Sequence, residues 1–422
     1  MRKKRVLYIH TSGSLGGSVI SLLKLVEHLN RKLYEPVVLF YDASSSQVAQ
    51  FENLGAKVIT LDQALSPKKS NLEQIRLGNR LEQYSRKMAQ LYRFFKSLYR
   101  LLRGDLVRAR RIKQIITDNG IDLVHHNNQW NQANVIAARL AGAPQVCHVR
   151  ALGKVGPFDR WLLRSVSAFI YVSSAIAAYY EAQGIPPHKG HTILNGVTMA
   201  EFAAVQQTKT IRQELGLRST DILIGNIGRL VWWKGYEFFL KAVAELLPSF
   251  PNLKVLIVGE ADDLPQNQAY KEELHTLTQS LGLSEVVTFT GFRTDIPQIM
   301  AALDIIVHSA TELEPGARVL IEALASGTPL VASKAGGILD IAEDGVHALL
   351  VPPKDAHAIA EAIKKLLTDP ELAQCLSEAG RCRVSECCTV ERYAHFVQNI
   401  YQNIFNQGRI KKLEEVSQNG LS

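Results

Sequence analysis

Glu314-Pro315-Gly316-Ala317-Arg318-Val319-Leu320-Ile321-Glu322-Ala323-Leu324-Ala325-Ser326-Gly327-Thr328-Pro329-Leu330-Val331-Ala332 decides how the chain is read. The stretch opens on a glycine-containing turn, continues as an apolar helical run over 319–325, and ends in a strand over 329–332. Glu314 lies in the turn and Glu322 inside the helix, one carboxylate on each side of the helix start. Backbone N–H groups at a helix N-terminus can hold a diphosphate. A carboxylate on either side can accept hydrogen bonds from hydroxyls. That combination suits a sugar nucleotide.

The same rhythm of strand and helix extends outward in both directions. Strands are expected over 222–227, 254–258, 286–289, 305–307, 329–332 and 348–351. Helices over 235–247, 270–281, 297–302, 319–325 and 355–367 separate them. An earlier set of strands covers 6–9, 37–40, 58–61, 123–125, 145–149 and 168–172, with helical patterns such as 18–29 and 132–140 between. Each set reads as a doubly wound parallel sheet. A chain of 422 residues accommodates two domains of roughly 200 residues each. The expected architecture is α/β, with two Rossmann-like doubly wound domains facing a cleft. The first spans 1–202, the second 203–386, and the polar stretch 198–209 links them. A last helix, over about 387–407, packs back on the first domain. In open α/β sheets ligands bind outside the carboxyl ends of the strands, so the residues just after strands carry the interest.

Composition bounds the setting. Hydrophobic content of 46% and charged content of 21% are ordinary for a globular protein. No apolar run reaches the ~18 residues of a membrane-spanning helix. Met1-Arg2-Lys3-Lys4-Arg5 is basic, but the apolar residues after it are too few for a signal peptide, so a cytoplasmic protein is expected. Five cysteines argue against a disulfide framework, and Cys375, Cys382, Cys387 and Cys388 lack the close C-x₂-C pairs of a zinc site. Reduced thiols on and after a helix, and no metal, are the expectation. The net charge of +8 is concentrated: residues 66–113 hold fourteen Lys and Arg against three acids, among Tyr84, Tyr92, Phe94, Phe95 and Tyr99. This segment reads as a basic helical insertion. It either lies on an anionic membrane surface or packs on its domain as a solvated insertion. No nucleic-acid motif accompanies the charge, and nucleic acid is not an expected partner.

Two loops after strands carry further candidates. Thr11-Ser12-Gly13-Ser14-Leu15-Gly16-Gly17-Ser18 precedes a helix, but its spacing is not G-x-G-x-x-G. Gly228-Arg229-Leu230-Val231-Trp232-Trp233-Lys234-Gly235 puts two cations at the ends of a short loop, where they can stabilise a departing diphosphate without a metal ion. A solvated surface Arg and Lys is the alternative.

With these pieces in order, the chain resembles the large retaining GT-B glycosyltransferase family called GT4, or glycosyltransferase group 1. The matching motifs are Gly16-Gly17, Asp122-Leu123-Val124-His125, Asn195-Gly196-Val197 with Phe202, Gly228-Arg229 with Lys234-Gly235, Phe289-Thr290-Gly291-Phe292, Met300-Ala301-Ala302-Leu303-Asp304, Glu314-x₇-Glu322 and Gly336-Gly337. The resemblance implies a retaining glycosyltransferase that moves a sugar from a nucleotide-diphosphate donor to a hydroxyl of a glycan or lipid-linked acceptor. It implies a donor-binding second domain, an acceptor-side first domain and no cofactor. Arg229 and Lys234 would bind the diphosphate, Glu314 the donor sugar and Glu322 the ribose. Gly316 and Ala317 would touch sugar and phosphate, and Phe292-Arg293 would meet the base. Gly16 and Gly17 would approach the donor from the opposite domain.

Three positions depart from the family pattern. Glu314-Pro315-Gly316-Ala317 replaces Glu-Pro-Phe-Gly, with Arg318 adding a cation near the sugar. His125-His126-Asn127 replaces His-x-His, leaving His125 or His126 for a polar role in catalysis and Asn127 on the acceptor side. Arg150 stands after its strand where a histidine is common, able to pair with an anionic donor or acceptor. A non-catalytic sugar-nucleotide-binding subunit and a GT-B nucleotide-sugar epimerase are the alternative functions. A peripheral place on the inner face of the cytoplasmic membrane goes with the membrane reading of 66–113.

Overall fold

The computed structural model describes residues 2–11, 16–61, 88, 91–92, 94–95, 98–99, 104–203, 208–316 and 318–419. Ala317 and most of the basic segment 66–113 lie outside the described residues. The chain forms two compact units: Met1–Ile193 with Tyr393–Ser422, and Leu194–Arg392.

The first unit is built on a seven-stranded parallel sheet. Its strands are β1 (Lys4–His10), β2 (Tyr34–Phe40), β3 (Lys57–Thr60), β4 (Leu123–Asn128), β5 (Gln145–Val149), β6 (Ala168–Tyr171) and β7 (Gly190–Thr192), in the order β3-β2-β1-β4-β5-β6-β7. Helices α1 (Gly17–Glu27), α2 (Ser45–Asn53), α3 (Leu106–Asp118), α4 (Gln132–Leu140), α5 (Pro157–Leu163) and α6 (Ser174–Glu181) connect them. Alternate residues of β1 enter opposite cores, Val6 and Tyr8 on one face, Leu7 and Ile9 on the other. Burial on both faces is why the strands read as nearly continuous apolar runs. β7 was not expected: Gly190-His191-Thr192 offers no apolar run to read.

The second unit repeats the plan with six parallel strands. They are β8 (Ile222–Ile227), β9 (Leu253–Val258), β10 (Val287–Gly291), β11 (Ile305–His308), β12 (Leu330–Ser333) and β13 (Leu349–Val351), in the order β10-β9-β8-β11-β12-β13. Its helices are α7 (Met199–Ala203), α8 (Thr208–Glu214), α9 (Tyr236–Leu246), α10 (Pro265–Ser280), α11 (Ile296–Ala302), α12 (Arg318–Ser326), α13 (Ile338–Ile341), α14 (Ala356–Thr368) and α15 (Pro370–Cys387). α12 turns Leu320, Ile321, Ala323, Leu324 and Ala325 inward. Left-handed Gly327 and then Pro329 end it, as the chain must leave the helix to enter β12. In both sheets the strand order reverses beside the first strand, between β1 and β4 and between β8 and β11. The connections diverge there and leave a crevice at the strand ends.

The boundary at 202/203 expected from sequence falls at 193/194. Val197 and Phe202 pack into the second core, so the supposed linker 198–209 is partly helical and anchored. The chain returns to the first unit through α16 (Val390–Asn419). Tyr393, Ala394, Val397, Ile400 and Tyr401 form one buried stripe of that helix against β1 and its neighbours.

The core under this stripe is polar. His125 Nδ1 lies 2.6 Å from the Tyr401 hydroxyl, and the His125 ring packs on Tyr8 and His148. On the opposite face of β4, His126 Nε2 bonds Gln145 Oε1 at 2.9 Å. Burial holds all three imidazoles neutral, with Arg150 adding to the effect on His125 and His148.

Tyr401→Ala should therefore cost about 3–5 kcal/mol of stability, by the usual price of truncating a buried aromatic, measured as a lower urea midpoint with an unchanged slope. The buried histidines also set a pH dependence. His126 titrates at about 4 when folded against an ordinary 6.5, so the unfolded chain binds protons first as pH falls. Its contribution is complete above 6.5 and is lost progressively down to about 4. Urea titrations across that interval should show the midpoint falling, and His126→Asn should flatten part of the slope.

Candidate active site

The loop after β8 and the loop after β11 flank the switch point of the second sheet. The first carries Arg229 and Lys234, the second Glu314. Gly235 takes a left-handed φ of 63° between the 3₁₀ turn Trp232–Lys234 and α9. A Cβ there would come within 2.2 Å of the Ser309 carbonyl oxygen, so only glycine lets the first loop lie against the end of β11. The contact is locked by Thr311 N donating to Trp233 O at 2.9 Å and by Ser309 Oγ donating to Lys234 O at 2.9 Å. Gly336, φ 70°, performs the same service behind Glu314: a Cβ would sit 2.3 Å from the Glu314 carbonyl oxygen. Gly337 N donates to that oxygen at 2.8 Å.

These constraints bring Lys234 Nζ to 2.9 Å from Glu314 Oε2, both side chains only 11% exposed. Lys234 Nζ also lies 3.2 Å from His308 Nε2. Burial and the lysine charge push the His308 imidazole down to about 3, so it is neutral and its Nε2 accepts from the ammonium. Burial opposes the charge of Glu314, but Lys234, with Arg229 contributing, more than offsets it and keeps the carboxyl below its ordinary range. Arg229 is different. Its side chain is 59% exposed and touches Asp262 Oδ2 only at 3.5 Å, a loose contact that an anion would readily replace.

Along α12, Arg318 Nε donates to Glu322 Oε1 at 2.6 Å. Arg318 thus holds the carboxylate that follows it by one turn. Asn195 Nδ2 donates to Gly316 O at 3.1 Å and tethers the loop from the other side. After β10, Phe292 is exposed and open to a planar ligand face. Arg293 is engaged by two carboxylates, with Glu214 at 2.6 and 3.1 Å and Asp295 at 2.8 and 2.6 Å. Ala317 lies outside the described residues. The site thus gathers Arg229, Lys234 and Glu314, flanked by Gly316, Arg318 and Glu322. His308 was missed in the sequence, and Asn195 was read only as part of a matching motif, without a role. The signal for His308 was its place as the last residue of a strand beside the switch point.

The candidates of the first unit are arranged otherwise. Gly16 caps α1 and Gly17 begins it, and a Cβ at either would meet nothing within 4 Å. Among the described residues, packing does not demand these glycines, which begin the helix that follows β1. His125 and His126 are fully buried, in the contacts with Tyr401 and Gln145 described above, and offer no titrating atom at the surface. Asn127 is also buried, its Nδ2 bonding His10 Nδ1 at 3.0 Å and Ser18 O at 3.0 Å. Arg150 bonds Asn127 Oδ1 at 3.2 Å and the Tyr393 hydroxyl at 2.7 Å, fastening β5 to α16.

Comparison with known proteins places this geometry. The profile of glycosyltransferase family 4 matches residues 15–201, and that of glycosyl transferases group 1 matches 207–383. LpsB, a lipopolysaccharide core biosynthesis mannosyltransferase of Rhizobium meliloti (strain 1021), is 25% identical over 249 residues, 58% of this chain and 68% of LpsB. A 2-deoxystreptamine glucosyltransferase of Streptomyces kanamyceticus is 26% identical over 299 residues, 66% of this chain and 75% of the relative. Among solved structures, Anabaena Alr3699/HepE in complex with UDP and glucose superposes with a TM-score of 0.74 at 25% identity, covering 94% of this chain and 99% of HepE. The two profiles together cover both units, and the chain belongs to the group 1 glycosyltransferases of family 4, with the GT-B fold.

Proposed function

We propose that the chain is a retaining, metal-independent glycosyltransferase that moves a sugar from a nucleotide-diphosphate donor to a hydroxyl of a glycan or lipid-linked acceptor, in the synthesis of a cell-surface polysaccharide or glycolipid. The observation that carries this is the Lys234–Glu314 pair at the switch point, with Arg229 exposed at the other end of the same loop. A diphosphate needs cations where it departs, and Arg229 and Lys234 supply two. Lys234 is already stripped of most of its water, so its charge acts at full strength without solvent having to reorganise. Glu314, ionised beside it, accepts from donor-sugar hydroxyls, and Glu322, oriented by Arg318, accepts from the ribose. The transition state is oxocarbenium-like. The acceptor hydroxyl attacks from the face the diphosphate leaves, and a phosphate oxygen takes its proton.

HepE was solved with UDP and glucose and with UDP-glucose, which makes a uridine donor the first to try. LpsB, a lipopolysaccharide core enzyme, supports the assignment to cell-surface glycan synthesis. No helix among the described residues is long and apolar enough to cross a membrane. We infer a peripheral location on the cytoplasmic face, reached through 66–113. Met88, Leu91, Phe95 and Tyr99 in that segment are all more than half exposed. Apolar side chains spaced along a strongly basic segment suit an anionic lipid surface.

A thermal-shift series with UDP-, GDP- and ADP-sugars tests the donor site, since a bound donor raises the melting temperature by mass action. One donor should stabilise the protein, and Lys234→Ala and Glu322→Ala should remove that shift and lower transfer by at least about a hundredfold, with folding kept, as for other preorganised charge-stabilising groups. Wild-type rates in both variants, or transfer abolished by a chelator, would contradict the assignment. Co-sedimentation with vesicles should occur with phosphatidylglycerol and weaken as salt rises; equal partition with neutral and anionic vesicles would remove the membrane assignment.

A further inference from the structure

We propose that Cys387 and Cys388 form a reversible thiol switch, in which a low-molecular-weight disulfide oxidises the pair to a vicinal disulfide and thereby loosens the loop that carries Glu314. The site is separate from the donor-binding groups; its consequence for donor binding rests on the function proposed above.

The two sulfur atoms lie 3.4 Å apart at the C-terminus of α15. Cys387 is partly exposed and Cys388 is buried, so one thiol meets solvent and the other lies directly behind it. The Cys388 thiol as donor, together with the charges of Arg383 and Arg392, draws Cys387 below the ordinary thiol range. Cys387, the thiol that solvent reaches, is therefore the attacking group, giving up the hydrogen bond its Sγ donates to Arg383 O at 3.0 Å, and Cys388 behind it is the resolving thiol. Cys375 and Cys382 are exposed on the same helix and have no sulfur partner.

The chemistry balances. Cys387 gives up its proton and attacks one sulfur of the small disulfide, expelling one thiolate, which takes that proton. Cys388 then loses its proton and attacks the Cys387 sulfur, expelling the second thiol. Two protein thiols are oxidised and one disulfide is reduced to two thiols. Adjacent Cα atoms stand ~3.8 Å apart, less than the ~4.4–6.8 Å a relaxed disulfide spans. The peptide between the two cysteines must therefore distort, and a strained disulfide belongs to the readily reduced, regulatory class.

That peptide is connected to the candidate active site by three short steps. The Cys388 carbonyl accepts from Val197 N at 3.0 Å, and Val390 N returns a bond to Val197 O at 3.1 Å. Gly196 packs so closely on this segment that a Cβ would lie 2.6 Å from Val390 Cα. Asn195, two residues before Val197, donates to Gly316 O in the loop beside Glu314. Turning the Cys388 carbonyl removes the acceptor of Val197 N, frees the Asn195-Gly196-Val197 segment and releases the tether on Gly316.

The full-length protein, treated with oxidised glutathione, should give a 387–388 peptide lighter by two hydrogens and restored by dithiothreitol. Amide exchange at Val197 and Gly337 should accelerate, and UDP-glucose affinity should fall, each by about fivefold or more, the scale of a modest coupling between sites. Cys388→Ala should stop at a mixed disulfide on Cys387, and Cys387→Ser should show neither closure nor the exchange change, with thermal melts confirming that both variants fold. A pair that stays reduced while Cys375 and Cys382 react overturns the proposal, as does a closed disulfide with unchanged exchange at Val197. Failure of the reduced protein to bind UDP-glucose would count against the donor assignment alone, and the mass and exchange readings would still decide the switch.

Discussion

A lysine and a glutamate taken out of water against each other organise the second unit. Burying either charge alone is costly, and burying both is tolerated only where geometry and further partners compensate. Lys234 and Glu314 meet that condition through neutral His308, which accepts from the ammonium without adding charge. The pair is positioned mainly by backbone, Gly235 against Ser309 O, Gly336 against Glu314 O and hydrogen bonds from Thr311 N and Gly337 N, with the Ser309 hydroxyl donating to Lys234 O. The loops meet because the sheet changes direction between β8 and β11, which turns two distant stretches of chain into neighbours. A buried ion pair of this kind gives little net stability. It is better understood as a stored arrangement of charge that a ligand with phosphates and hydroxyls can share.

Much of this was legible in the sequence because the relevant signals are local. The Glu314…Glu322 spacing across a helix start, the Arg229…Lys234 loop and the glycines beside them each lie within a dozen residues, and parallel strands buried on both faces announce themselves as apolar runs. What escaped was set by contacts distant in the chain. His125 pairs with Tyr401, a sequence separation of 276 residues, so a strand ending in histidines resembled a polar site rather than a core. His308 drew no reading from the sequence, because only the fold brings Lys234 beside it. Arg293 read as free to meet a base, yet Glu214 and Asp295 claim its whole guanidinium. The boundary between units was misplaced because Phe202 and Met199, in a stretch read as a polar linker, pack into the second core.

Around β4 in the first unit the buried polar pairs are neutral: His125 with Tyr401, His126 with Gln145, Asn127 with His10. Each such pair loses little by leaving water, provided it is matched, and each fixes a single register between β4 and its neighbours. The charged groups of this unit lie apart from those pairs: Asp105 and Arg108 are buried against each other, and partly buried Arg150 is spent on Asn127 and Tyr393, joining the sheet to the returning helix. Protonating any of these imidazoles would bury a charge with no counterion, which is why burial depresses them.

In the second unit the polar groups at the switch point include the charged Lys234–Glu314 pair. Neutral pairs specify a fold and have nothing to exchange with a ligand. A charged pair keeps an electrostatic demand that its partner alone satisfies only in part, and on the function proposed above a phosphate would compete for Lys234 and sugar hydroxyls for Glu314. Arg318 with Glu322 repeats the device one turn into α12, more exposed and closer to the helix N-terminus. The replacement of the family's Phe-Gly by Gly316-Ala317 falls between these two pairs, in the segment that Asn195 tethers. The change exchanges a large side chain for small ones while Glu314 on one side and Arg318 with Glu322 on the other are retained.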